Sequence, residues 1–153
     1  MELINYVLLS VVTYLGLFCG VLLVKIAPEE QRPGKKYFLI LQKIIFTIIG
    51  ILLIINFSTI NLALVIVAIL FLAQKNINYH IAYIFFTALI FLTVLQKNSF
   101  LILSFTALVF LFGMASASLI AVPKSWKSSI RILLELIYFP LAAIALFATT
   151  YLF

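Results

Sequence analysis

This chain has very few of the side chains that most enzymes and metal sites use. Its 153 residues include no aspartate, four glutamates, one histidine (His80) and one cysteine (Cys19). A paired intramembrane carboxylate site, a carboxylate cluster for Mg²⁺ and a multi-histidine metal or haem site all require more such groups than one chain supplies. We therefore expect neither an enzyme nor a cofactor, and a single cysteine excludes a disulfide within the chain.

Charged residues are also scarce, and apolar residues take their place. Only 9% of the residues are charged and 67% are hydrophobic, against about 25% and about 45–50% in a typical soluble domain. A soluble fold of this size has too little interior to bury so much apolar surface, whereas lipid accepts it. The composition predicts an all-α polytopic transmembrane helical bundle that forms a single domain over residues 1–153.

The chain contains six apolar segments separated by short polar stretches. Residues 37–73 are nearly unbroken, and as a single helix they would run about 55 Å through a hydrocarbon core of about 30 Å. We therefore expect a turn in the Asn/Ser/Thr cluster at 56–61. The first segment is too long for the apolar part of a signal peptide and is expected to remain as a helix. The six predicted spans cover approximately 4–26, 37–55, 60–75, 79–96, 100–122 and 130–152.

If the six segments cross the membrane one after another, the positive charges fall mostly on one side of it. Nine of the ten Lys and Arg residues lie in or beside the loops after the first, third and fifth spans, and only Lys97 lies on the other side. Because short cytoplasmic loops are enriched in basic residues, loops 27–36, 74–80 and 123–129 are predicted to be cytoplasmic. Both termini then lie outside the cell, and the protein is predicted to span the cell membrane. This topology explains the net charge of +6 without a nucleic-acid partner.

Basic residues and one tryptophan mark the headgroup level of the cytoplasmic side. A basic side chain near an anionic membrane surface contributes about 1 kcal/mol to binding, and tryptophan favours the membrane–water interface. These features predict contact with anionic lipid headgroups and require no specific lipid site. The residues concerned are Lys35, Lys36, Lys124, Trp126, Lys127 and Arg131.

The loop from Pro28 to Lys36 is the longest polar segment. Glu29 and Glu30 follow a proline, as in the first turn of a helix whose positive end attracts carboxylates. Pro33-Gly34 is typical of a type II turn. We expect an ordered loop, which is either a docking surface for a cytoplasmic or membrane partner or a solvated connector. Lys43, inside the second span, either snorkels to the interface or pairs with the glutamate at 30 or 135.

Glu135 is the best single candidate for a functional residue, because an ionisable group inside a span marks a site by default. Pro140 is expected to free the backbone carbonyl of Leu136 and to kink the helix. A carboxylate beside such a kink could bind a cation or a proton. The alternative is an ion pair with Arg131, four residues earlier on the same helix.

Small residues recur at helical spacing on three of the predicted spans. Gly16 and Gly20 form a GxxxG pattern on the first span, and Gly113, Ala117 and Ala121 continue at the same spacing on the fifth. Alanines recur along the sixth. Such residues let helix backbones approach closely in lipid. We expect the first, fifth and sixth spans to form the tight centre, with the other three facing lipid. Oligomerisation through the same faces is the alternative.

Two functional hypotheses follow. The scarcity of polar groups at mid-depth favours a non-enzymatic membrane-embedded subunit or assembly factor that packs against other membrane proteins. The second hypothesis is a small transporter or channel that acts as a homo-oligomer, with Glu135 in its pathway beside Asn5, Ser116 and Ser118. Ion-coupled carriers usually hold more intramembrane polar groups and broken helices than this sequence offers, which favours the first hypothesis.

Overall fold

The computed structural model describes residues 3–56, 78–95, 98–121, 126–142 and 144–145. Within these ranges the regular structure is entirely helical. After the last helix the backbone turns at 136–137 and is helical again over 138–142. The helices are α1 (Leu3–Ile26), α2 (Gln31–Asn56), α3 (Tyr79–Leu95), α4 (Ser99–Ile120) and α5 (Trp126–Glu135).

Three of these helices, α1 from Val7 onward, α2 and α4, are long and apolar enough to cross a membrane. A hydrocarbon core of about 30 Å requires about 20 residues of helix, and α2 and α4 have 26 and 22 residues. The apolar helix α3 is shorter, at 17 residues. This architecture is compatible with a membrane protein. The predicted span at 60–75 lies outside the described residues.

The connection between α1 and α2 consists only of residues 27–30, so it is much shorter than the predicted loop. The Glu30 N–H donates to the Ala27 carbonyl at 3.2 Å, which closes a tight turn. Because α2 begins at Gln31, Pro33 and Gly34 lie in its first turn and the predicted type II turn is wrong. Proline fits this place because the N–H groups of a first helical turn have no partner within the helix.

Helices α1 and α4 form the closest pair of the bundle. A Cβ atom on Gly16 would collide with the carbonyl oxygen of Phe110, and one on Gly20 would collide with that of Met114. From the first contact to the second the residue number rises by four on both helices, so α1 and α4 run parallel. At these two points the backbones touch, which only glycine permits.

Helices α2 and α3 both run antiparallel to α4. Gln31 at the start of α2 donates to the Ala121 carbonyl just after α4. Further along α2, the Phe46 ring lies 5.4 Å from the rings of both Phe86 of α3 and Phe112 of α4, and those two rings lie 4.8 Å apart, all measured between centroids. The prediction that these helices face lipid therefore applies to one side of each, since the other side is buried against α4. The central helix is α4, with α1, α2 and α3 packed around it.

These directions bring four helix ends together. The end of α1, the start of α2, the start of α3 and the end of α4 lie at one end of the bundle, which we call the basic end. It comprises residues 25–36, 78–79 and 120–121. Its basic residues are Lys25, Arg32, Lys35 and Lys36.

The last described segment is interrupted before Pro140, as the sequence predicts. Proline cannot donate to the Leu136 carbonyl, and that carbonyl accepts instead from the Phe139 N–H at 3.1 Å. The Ile137 N–H similarly donates to Leu134 at 3.3 Å. The described part of the predicted span at 130–152 is therefore not one continuous α-helix, because two tighter turns separate Glu135 from the helical residues that follow.

Candidate functional site

Glu135 forms an ion pair with Arg131. Arg131 Nε donates to Glu135 Oε1 at 2.6 Å, one helical turn away. The two side chains are 80% and 46% exposed respectively, so the pair lies on the outside of the bundle. The structure thus contains the ion pair that the sequence offers as the alternative for Glu135.

A contact between α5 and α1 shows where the ion pair lies along the length of the bundle. The Tyr14 hydroxyl, near the middle of α1, donates to the Leu133 carbonyl at 2.5 Å. Leu133 lies between Arg131 and Glu135 in the chain. The ion pair is therefore beside the middle of α1, not at its end.

A second contact confirms the depth of this segment. The Phe139 ring lies 5.1 Å from the Tyr83 ring, centroid to centroid. The Tyr83 hydroxyl lies against Gly113, at 3.1 Å from the place where a Cβ would stand, and Gly113 faces the Gly16 backbone. Residues 133–139 therefore run along the central third of the α1–α4 pair.

The side of α5 that carries the ion pair also carries exposed apolar side chains. Ile130 and Leu134 lie one helical turn apart on α5 and are 50% and 61% exposed. Exposed Lys127 lies one turn before Arg131. We call this surface the α5 face. It consists of Lys127, Ile130, Arg131, Leu134 and Glu135.

A buried polar contact joins α2 to α4 and was not predicted from the sequence. Gln42 is fully buried, and its Nε2 donates to Ser116 Oγ at 2.9 Å. Among the described residues, Gln42 Oε1 has no hydrogen-bond partner, and the Tyr79 phenol interacts with the Gln42 side chain. The Tyr83 hydroxyl is likewise buried without a described partner. A glutamine within an apolar run was the available signal for this polar layer.

The two serines proposed to line a transport path bond to neighbouring helices instead. Ser116 accepts from Gln42, as above. The single Ser118 O–H is shared between the Met114 carbonyl, at 2.8 Å, and the Gly20 carbonyl, at 3.2 Å. Both side chains are buried, so they connect α4 to α2 and α1. The Asn5 side chain lies outside the described part of the structure.

The other residues predicted for binding, lipid contact or helix packing do not form one cluster in the structure. Glu29, Glu30, Lys35, Lys127 and Lys43 are exposed, and Lys43 lies on the outer side of α2. Lys36 is also exposed, with its Nζ 5.0 Å from the centroid of the Tyr37 ring. Gly113 and Ala117 face α1. Lys124 lies outside the described residues, and Trp126 begins α5 with its side chain outside them.

His80 takes part in a contact between α3 and the segment after α5. The Tyr138 hydroxyl donates to the His80 carbonyl at 3.2 Å and lies 3.3 Å from His80 Nδ1. The two rings stack with centroids 5.9 Å apart. In the described ranges no group of three His, Cys, Asp or Glu side chains could hold a metal ion. The role visible for this histidine is to join two helices.

Comparison with known protein families, with curated proteins and with solved structures finds no match to this chain. Over the described residues the fold is all-helical, and three of the described helices are able to span a membrane by length and composition. The functional conclusion therefore depends on the geometry of the chain itself.

Proposed function

We propose that this chain is a non-enzymatic membrane-embedded subunit or assembly factor, and that it packs against another membrane protein through the α5 face. The observation that supports this is the exposed Arg131–Glu135 pair beside the middle of α1. With α1 across the bilayer, the pair lies at the depth of the hydrocarbon. Ionised side chains at that depth face protein or water, because lipid exposure costs at least about 2.5–3.5 kcal/mol per charge.

The interior of the bundle supports a packing role. Its centre is filled by the aromatic rings of Phe46, Phe86 and Phe112, and Gln42 and Ser116 bond to each other. The small-residue faces of α1 and α4 were candidate surfaces for a partner, but in the structure these two faces pack against each other. In the part of the chain that the structure describes, the α5 face and the turn that carries Glu29 and Glu30 are exposed and available to a partner.

We also propose six spans in the cell membrane, with both termini outside and loops 27–36, 74–80 and 123–129 in the cytoplasm. The meeting of four helix ends at the basic end supports this threading, since positive charge collects on the cytoplasmic side. Cysteines introduced at Ser125 and Asn98 in a Cys19→Ser background would test it. Membrane-impermeant reagent should label the two positions from opposite sides, and labelling from one side would overturn the threading.

A homo-oligomeric transporter or channel is the second candidate. The same exposed ion pair favours it, because two or more α5 faces could enclose a polar seam through Glu135. Against it, Arg131 neutralises Glu135 within one chain, and Ser116 and Ser118 are committed to helix contacts. The first candidate requires only that a partner covers the pair.

Photo-cross-linking in native membranes distinguishes these functions. A photoreactive amino acid replaces Leu134 on the α5 face or, as the matched control, Ile44 on the outer side of α2; these side chains are 61% and 49% exposed. We expect a discrete product with a different membrane protein from position 134 alone. A product between two copies of the chain would support the oligomer. No protein product from position 134 would overturn the subunit proposal.

A further inference from the structure

A cleft opens at the basic end between the last turn of α1 and the first turns of α2. Its volume is about 310 Å³, at the lower end of the roughly 300–1,000 Å³ of ligand pockets. Leu23, Val24 and Phe38 supply an apolar wall that extends toward the middle of the bundle. Glu30 lies on the wall at the other end, where the chain turns between the helices.

The start of α2 keeps this cleft open. Gly34 is one of its lining residues, and a Cβ there would meet only the Phe38 ring, at 3.3 Å. Gln31 forms part of the back wall and is held in place by two hydrogen bonds. Its Nε2 donates to the carbonyls of Ser118 at 3.2 Å and Ala121 at 2.6 Å.

Charges of both signs surround the mouth of the cleft. A second pocket of about 180 Å³ adjoins it, and the two share Gln31 and Ser118 as lining residues. Arg32 and Lys35 line the second pocket, whereas Glu30 lines the first. The cleft therefore presents an apolar channel, one carboxylate, and two cations on the far side of Gln31.

We propose that this cleft binds one phospholipid with a primary ammonium headgroup, of the phosphatidylethanolamine type. An acyl chain would lie along Leu23, Val24 and Phe38, since apolar surface at this level faces hydrocarbon. Arg32 and Lys35 donate to the phosphate, and Glu30 accepts from the ammonium group. Charge-assisted hydrogen bonds of this kind are roughly twice as strong as neutral ones.

The charges also determine which lipids are rejected. Phosphatidylglycerol offers a phosphate for Arg32 and Lys35, but its glycerol hydroxyls are neutral donors and it carries no cation for the Glu30 carboxylate. Phosphatidylcholine carries a positive charge but no N–H to donate to Glu30. Of these three lipids, phosphatidylethanolamine alone offers both an anion for Arg32 and Lys35 and a charged hydrogen-bond donor for Glu30.

Native mass spectrometry of the full chain in lipid-free detergent tests this proposal. Phosphatidylethanolamine, phosphatidylglycerol and phosphatidylcholine with identical acyl chains are added separately, and bound lipids are counted. We expect one phosphatidylethanolamine per chain, held at least about tenfold more tightly than phosphatidylcholine, as one charge-assisted hydrogen bond would give. Equal or tighter binding of phosphatidylglycerol would overturn the proposal, as would the absence of a single-lipid complex.

Variants assign the selectivity to named residues. Glu30→Gln should abolish the preference over phosphatidylcholine, and Arg32→Gln with Lys35→Gln should weaken binding of all three lipids. Glu29→Gln is the matched control, because Glu29 is exposed in the same turn and does not line the cleft. A preference that survives in Glu30→Gln contradicts the proposal. The inference depends on membrane embedding but not on a protein partner, so cross-linking at Leu134 can succeed or fail independently of it.

Discussion

The Tyr14 hydroxyl satisfies a backbone carbonyl that a break in another helix has released. In a continuous α-helix the Ile137 N–H would donate to Leu133, but it donates to Leu134 instead. The Leu133 carbonyl then accepts from Tyr14 at 2.5 Å. One hydrogen bond thus sets the position of α5 against α1, and with it the depth of the ion pair on the α5 face.

Replacing this tyrosine should weaken the contact between α1 and α5. Tyr14→Phe removes the donor and leaves the Leu133 carbonyl without one, which should lower the free energy of unfolding by about 1–2 kcal/mol. Thermal unfolding of the purified protein in detergent measures the loss. Tyr37→Phe, at an exposed phenol, is the control. Equal effects of the two variants would show that the Tyr14 contact does not hold α5.

Adding one methyl group to the α1–α4 contact should separate the helices. In Gly20→Ala the new Cβ meets the Met114 carbonyl and lies 2.8 Å from the Ala117 Cβ. Overpacking of this kind costs about 1–3 kcal/mol. Gly34→Ala is the control, because its Cβ meets only one ring edge. Unfolding midpoints that shift equally in the two variants would contradict the backbone contact.

The Gln42–Ser116 hydrogen bond should be worth little to stability. A double-mutant cycle with Gln42→Leu and Ser116→Ala should give a coupling energy of about 0.6 kcal/mol, the mean for hydrogen bonds between membrane helices. Gln42→Leu alone should be nearly neutral, since it also removes the unpartnered Oε1. A coupling above about 2 kcal/mol, beyond the range typical of such bonds, would indicate a polar network larger than this pair.

Neutralising one member of the exposed ion pair should affect the partner more than the chain. Glu135→Gln should change the stability of the isolated protein by only about 0.3–0.5 kcal/mol, as for other pairs one turn apart on a helix. It should nevertheless reduce cross-linking from Leu134 strongly, because Arg131 would then be buried unpaired in the complex. The exchanged pair, Arg131→Glu with Glu135→Arg, should restore cross-linking. Failure to restore it would mean that the partner contacts Glu135 itself.

Sequence patterns identified local features better than long-range ones. The glycines at 16 and 20 mark a close helix contact through their spacing alone, and Pro140 marks the break in its helix. The beginning of α2 was misplaced because Pro33-Gly34 suits both a turn and a first helical turn. The burial of Gln42 depends on Ser116, 74 residues away in the chain, and no local signal reports that pairing. The central position of α4 also results from contacts between residues far apart in the chain, so it could not be predicted from local sequence.

The parallel contact of α1 with α4 also has a consequence for biosynthesis. Gly16 is translated nearly a hundred residues before the part of α4 that covers it. At about 5–20 residues per second, the glycine face of α1 remains without its final neighbour for roughly 5–20 s. During that interval it is a GxxxG surface open to any other helix. Newly made chains are therefore most vulnerable to mispairing before α4 has been inserted.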